Sequence, residues 1–431
     1  MLPSPTADPT AASTKPARVP KRSRAGVGVS GDRFKWRILG WMSVRGGGLS
    51  VADKRLTPQG DGTSRLRVRL RVGDYRLRSG GPGRSHGQGA ARRPTTHPRE
   101  TARVTPHVEI PGLTLTLEDF ERAREHVAPH VYHTPLLTSR SLSEASGFDI
   151  RLKAELFQRG GSYKVRGPLN VMAHMGEEEK ARGIICSSAG NHAQGVALAA
   201  RLYGIPAVVV MAENATPAKV AATEGYGAEV VLHGSIWDEA NERALELVEE
   251  RGLTYVHPFD NPRLIAGQGT LGLEILEDWP EVEIVVIPIG GGGLISGNSM
   301  ALKSVNPDIR VFGVESSGAP AMKRTVESGE MITLETVDCA IDGLKVMRVG
   351  DNTASVVSRF VERVVTLPDE DIFDAMLWLM TRAKLVTEGA AAAPVAAVLH
   401  GLIDAPQGTK VACVLSGGNL DVEQLRGRSW N

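Results

Sequence analysis

Short β-branched runs alternate with stretches of helical periodicity from about Val104 onward. The runs are Ile150 to Phe157, Ile184-Ile185, Ala207 to Met211, Glu229 to Leu232, Tyr255-Val256, Ile284 to Ile289, Val311 to Val314, Val364 to Leu367 and Val411 to Leu415. Between them apolar residues recur at helical spacing. In Trp237 to Glu250, for example, Ala240, Ala244, Leu245, Leu247 and Val248 make one face. Strand, crossover helix and strand, repeated in this way, predict an α/β fold with mostly parallel, doubly wound sheets and helices on both faces. Ligands bind such sheets beyond the carboxyl ends of the strands. The chain places its Gly- and Ser-rich segments there.

Charge divides the 431 residues unevenly. Residues 1–103 hold 22 Lys and Arg against 6 Asp and Glu, and the remainder holds 28 against 43. The first segment is rich in Pro, Gly, Ser and Arg, with isolated apolar patches such as Phe34 to Met42. Such a composition buries too little apolar surface to offset the entropy of ordering it, so disorder is expected. It is compatible with a transit peptide or a basic nucleic-acid-binding arm. No aromatic interleaving in Arg65 to Arg71 supports base stacking, however. A start at Met42 or beyond is preferred to any function for this segment.

Cys186, Cys339 and Cys413 are far apart and form no CxxC pair, which implies neither a disulfide framework nor a zinc site and fits the cytoplasm. No apolar run reaches the ~18 residues of a membrane span, since Ala390 to Ile403 is broken by Pro394 and His400.

Candidate chemistry begins at Lys164, in Gly160-Gly161-Ser162-Tyr163-Lys164-Val165-Arg166-Gly167. A lysine among small residues after a strand can meet a carbonyl carbon and form a Schiff base, with a substrate or with pyridoxal phosphate. Val285 to Ile289 then runs into Gly290-Gly291-Gly292-Gly293, whose unobstructed N–H groups and following helix N-terminus suit a phosphate. No Gly-Lys-Ser/Thr follows, which excludes a Walker motif. Cys186-Ser187-Ser188-Ala189-Gly190-Asn191-His192 also follows a strand and opens a helix from Ala193 to Tyr203. Ser188, Asn191 and the loop N–H groups make a turn suited to a carboxylate, whereas His192 reads as structural. In Val414-Leu415-Ser416-Gly417-Gly418-Asn419, Ser416 could hydrogen-bond a ring nitrogen, although alone it is an ordinary turn.

Together the four segments resemble the fold-type II pyridoxal-phosphate enzymes, a two-domain, tryptophan synthase β-like fold, and within them the threonine dehydratase and serine racemase branch. The resemblance spans about residues 110–425. It includes Gly227-Ala228-Glu229-Val230, His257-Pro258-Phe259-Asp260 and Ala266-Gly267-Gln268-Gly269-Thr270. It implies a catalytic region from 104 to 431, with a smaller subdomain inserted at about 155–260 and no C-terminal regulatory domain. Lys164 would carry the cofactor and move the substrate's Cα proton, and Gly290 to Gly293 would hold the cofactor phosphate. Asn191 would touch the 3′-oxygen and Ser416 the ring nitrogen. Ser188, with the Gly190 and Asn191 backbone, would take the substrate carboxylate.

The implied activity is α,β-elimination from a β-hydroxy amino acid, with L-threonine giving 2-oxobutyrate and ammonia. The implied pathway is isoleucine biosynthesis or threonine catabolism, and the implied assembly a homodimer or homotetramer. Racemases of this branch carry a serine where this chain has Ala189, so dehydration is expected over inversion. Tyr163 replaces the usual phenylalanine, and Pro168 a common alanine. Some relatives bind a divalent cation through a Glu…Ala…Asp pattern. Here Glu315 and Ala319 are followed by Ala321, and no strong metal site is expected. Dehydration of hydroxyaspartate and serine racemisation remain alternatives. A nucleic-acid-associated protein using the basic arm is the alternative from another class.

Overall fold

The computed structural model describes Leu113 and Leu115 to Arg426; the basic segment 1–103 and the readings made of it lie outside the described residues. Ten strands form two sheets among the described residues. They are β1 (Leu136–Thr138), β2 (Asp149–Ala154), β3 (Ile184–Ser187), β4 (Ala207–Met211), β5 (Glu229–Leu232), β6 (Thr254–Tyr255), β7 (Ile284–Pro288), β8 (Arg310–Ser316), β9 (Arg363–Leu367) and β10 (Lys410–Leu415). The larger sheet has the order β1-β2-β10-β7-β8-β9, with β1 antiparallel and the other pairings parallel. The smaller sheet, β5-β4-β3-β6, is parallel throughout.

Parallel strands need crossover helices, and these cover both faces of each sheet. Along β10 the alternation is plain. Val411, Cys413 and Leu415 pack with Ala391 to Val398 and Ile372 to Leu379 on one face. Ala412 and Val414 pack with Leu271, Ile275, Ile295 and Leu302 on the other. In the smaller sheet Ile184 and Cys186 face the helix Asn191–Tyr203, while Ile185 faces Ala240, Ala244 and Leu247 of the helix Trp237–Arg251.

Several boundaries differ from expectation. The strand expected over Ile150 to Phe157 stops at Ala154 and becomes a 3-10 turn, Glu155–Phe157. There the Glu155 carboxylate turns inward to accept from the Thr134 hydroxyl at 2.5 Å and from Arg166 at 2.8 Å. Leu245, assigned to the apolar face of its helix, is 46% exposed, because the buried stripe is Ala240, Ala244 and Leu247. The helix expected from Ala193 begins at Asn191. The apolar run after Glu388 is a buried helix, Gly389–Leu399, with Pro394 inside it. No helix of the described residues is long and apolar enough to cross a membrane.

Candidate active site

The lysine segment is pinned from three sides. Gly195 lets the helix Asn191–Tyr203 press against it, since a Cβ there would lie 2.7 Å from the Lys164 carbonyl carbon. Two residues on, the fully buried Arg166 guanidinium donates to both oxygens of Glu155, at 2.8 Å each, and to those of Glu274, at 2.6 and 3.0 Å. Lys153 joins Glu274 at 2.8 Å. Burial opposes charge on Glu274, but Arg166 and Lys153 outweigh it and hold its carboxyl below the ordinary range. On the third side Tyr163 N donates to Ser416 O at 3.1 Å and Gly418 N to Gly161 O at 2.9 Å, which joins this segment to the turn after β10.

The Lys164 amine donates to Pro258 O at 3.1 Å. That carbonyl sits in a turn closed by His257, whose Nδ1 accepts from Phe259 N at 3.2 Å and Asp260 N at 2.8 Å. Asp260 in turn accepts from Thr353 N at 3.1 Å, and the Thr353 hydroxyl donates to Gly291 O at 2.8 Å. The lysine and the glycine loop are thus joined through a single hydrogen-bonded turn.

Asn191, at the start of its helix, is held by its side chain. Its Nδ2 lies 2.8 Å from each carboxylate oxygen of Glu388, and its Oδ1 accepts from Asn419 Nδ2 at 2.8 Å. Asn419 also donates to Gly160 O at 2.8 Å. The Ser188 hydroxyl accepts from Gly190 N at 3.1 Å. Ser416 is buried. Lys164, Asn191, Ser188, Gly190 and Ser416 therefore belong to one connected set of loops, which follow β2, β3 and β10.

Gly290 to Gly293 run from β7 into the helix Gly293–Val305. Protein closes around one side of the loop. A Cβ on Gly291 would fall 2.1 Å from Phe259 Cδ1, and Gly292 adopts a φ of 94°. Thr353 draws the Gly291 carbonyl to that side. Among the described residues the N–H groups of Gly290, Gly291 and Gly292 donate to no protein acceptor.

Charge in the site is set by enclosure. Burial pushes the Lys164 amine down to about 8, and the nearby Glu388 carboxylate opposes that shift. Burial pushes Glu388 up to about 7, against the Asn191 hydrogen bond and the charge on Lys164. His192 is buried, bonds Val256 O through Nε2 at 3.0 Å, and is depressed to about 3 by burial and then by Lys164. It is a neutral structural histidine, as its place at a helix start suggests.

The sequence pattern of the family described as "Pyridoxal-phosphate dependent enzyme" matches residues 127–417. The chain belongs to that family. An L-threonine ammonia-lyase from Thermotoga maritima is 48% identical over 311 residues, covering 72% of this chain and 77% of that protein. The structure of a T.th. threonine deaminase superposes with a TM-score of 0.68 at 40% identity, covering 71% of this chain and 99% of that one. Maize serine racemase superposes with a TM-score of 0.70 at 34% identity, covering 73% and 96%.

The residues present fit pyridoxal phosphate. The unpartnered loop N–H groups before a helix N-terminus suit its phosphate, and a half-buried lysine with a depressed pKa suits its aldehyde. Ser416 offers a buried hydroxyl at the end of β10. Glu315, the carboxylate weighed as a cation ligand with Ala319, instead accepts from Met322 N at 2.8 Å and Lys323 N at 2.9 Å. Burial nevertheless pushes its carboxyl up to about 8. Glu388 went unnoticed in the sequence. Its signal there is faint: it is the sole acid between Arg382 and Asp404, at the head of an alanine-rich helix.

Proposed function

We propose that this pyridoxal-phosphate dependent enzyme is a threonine/serine ammonia-lyase that converts L-threonine to 2-oxobutyrate and ammonia. The observation that carries the reading is the enclosed Lys164 amine, joined through the Pro258 turn to the glycine loop. Ala189 stands where racemases of this branch carry a serine, and its methyl group cannot supply the second acid that inversion at Cα needs. Two relatives named for threonine chemistry, the Thermotoga maritima ammonia-lyase and the T.th. deaminase, support the substrate.

Bound pyridoxal phosphate supplies an electron sink for the charge that develops at Cα. The N–H groups of Gly290 to Gly293 would hold its phosphate, Ser416 would take the ring nitrogen and Asn191 the 3′-oxygen. Ser188, with the Gly190 and Asn191 backbone, grips the substrate carboxylate and presents Cα to Lys164. Lys164 removes the Cα proton, the β-hydroxyl leaves with a proton as water, and the released enamine tautomerises to an imine that water hydrolyses to 2-oxobutyrate and ammonia. A neutral serine at the ring nitrogen holds no proton there as a carboxylate would, which favours prompt elimination.

Serine racemisation is the second reading, supported by the likeness to maize serine racemase and opposed by Ala189. Keto-acid release measured across L-threonine, L-serine and hydroxyaspartate tests the proposal. L-threonine should be turned over best, and residual L-serine should contain no D-enantiomer. Preference for hydroxyaspartate, or accumulation of D-serine, would overturn it.

We further assign residues about 155–260 to a subdomain, since all four strands of the smaller sheet fall between Ile184 and Tyr255. Three buried free cysteines support a reducing, cytoplasmic setting. A homodimer or homotetramer is the assembly proposed.

A further inference from the structure

The Glu388 carboxylate lies where three site loops meet, and none of the roles above uses it. Both its oxygens accept from the Asn191 amide at 2.8 Å. Its own N–H donates to Gly417 O at 3.2 Å, next to Ser416. The fit is close: a Cβ on Gly417 would lie 2.6 Å from Glu388 Oε1 and 2.9 Å from Ser162 Cβ, on the lysine segment. Glu388 therefore ties the Asn191 turn, through its carboxylate, to the Ser416 turn, through its backbone, and Gly417 in that turn packs against Ser162 of the lysine segment.

We propose that Glu388 is a positioning residue that acts through Asn191 and Lys164: its two oxygens fix the Asn191 amide, and its negative charge bears on the enclosed Lys164 amine. The inference rests on the reading of Lys164 as the cofactor-binding lysine. Lys164 makes its hydrogen bond to Pro258 O, so Glu388 acts on it through space rather than as a contact ion pair. In an enclosed site such a field is weakly screened. The other charged or titratable groups around the pair are Asp342 and Tyr163 near Glu388, and His192 and His257 near Lys164. Asp342 is engaged by Lys219 at 2.9 Å. Both histidines are depressed, chiefly by burial, and Tyr163 is raised, chiefly by burial. Above about pH 7, where Glu388 is ionised, that leaves it as the carboxylate acting on Lys164.

The sign of the effect follows. A negative charge near an ammonium stabilises it, so removing that charge lowers the pH at which the amine is free. Only the free amine attacks a carbonyl carbon. The test uses full-length protein, stripped of cofactor and given pyridoxal phosphate, with loading followed by visible absorption as a function of pH. Glu388→Gln should move the midpoint of the loading profile down by about one pH unit. A midpoint that is unchanged or raised overturns the inference, even if loading is slower or the protein less stable.

Glu388→Asp supplies the check if the Gln variant does not fold. It keeps the charge and withdraws the carboxylate from Asn191, so loading should weaken several-fold while the midpoint stays in place. A midpoint that falls by about one pH unit in this variant also overturns the inference. Lys164→Ala separates the two readings. If it still takes up cofactor covalently, the assignment of Lys164 fails. If it does not, and the Glu388→Gln profile superimposes on that of the wild type, only the role of Glu388 fails.

Discussion

Gly291→Ala probes the phosphate cradle most sharply. The new methyl would fall 2.1 Å from Phe259 Cδ1 and 2.2 Å from Cγ, far inside contact distance. Phe259 cannot swing away freely, because its ring packs edge-on against His257 at 4.8 Å and its backbone closes against Gly293. The loop must therefore yield, and with it the N–H groups proposed to hold the phosphate. Overpacking of this kind costs about 1–3 kcal/mol. If that strain falls on the loop geometry needed for binding, the cofactor dissociation constant rises roughly 5- to 150-fold. The assay is titration of stripped protein with pyridoxal phosphate, with circular dichroism to check the fold. Pyridoxal, which lacks the phosphate, is the comparator and should lose little. An unchanged affinity for pyridoxal phosphate, or an equal loss for both compounds, would refute the assignment of this loop to the phosphate.

The buried groups give two further predictions. Arg166→Met leaves the Glu155 and Glu274 carboxylates facing each other without a guanidinium, and should destabilise the protein by about 3–5 kcal/mol. A shift in urea midpoint at constant slope would read this, and a loss under about 1 kcal/mol would mean that the network relaxes. His192 has a folded pKa of about 3 against an ordinary value of 6.5, so between these values the unfolded chain binds a proton that the folded one does not. Its contribution to stability is present above about pH 6.5 and is lost as pH falls toward 3, at up to about 1.4 kcal/mol per pH unit. Glu388 and Glu315 are raised groups, whose contributions are lost as pH rises. Only a comparison with His192→Gln therefore isolates the histidine. The variant should show a shallower acid limb of stability, and identical limbs would place His192 in contact with water.

The parts of the fold legible in the sequence were those with local causes. Strands buried on both faces read as unbroken apolar runs, so β4, β7 and β10 stood out. The three-residue edge strand β1 carries no such pattern, and its antiparallel pairing to β2 is made across the intervening helix Arg140–Ser146. Glycine and serine after a strand end are local signals too, which is why Gly290 to Gly293, Ser188 and Ser416 could be named. Glu388 could not, because its meaning lies in Asn191, 197 residues earlier. The Pro258 carbonyl and Thr353 were hidden for the same reason: each matters only through a bond made across the fold.

The central claim is that Lys164 is the residue that carries the cofactor. Borohydride reduction of the holoenzyme, followed by proteolysis and mass spectrometry, tests it directly. A phosphopyridoxyl group is expected on the peptide that contains Lys164, and it should disappear in Lys164→Ala. A modified lysine elsewhere in the chain, or no covalent cofactor in an active preparation, would contradict it.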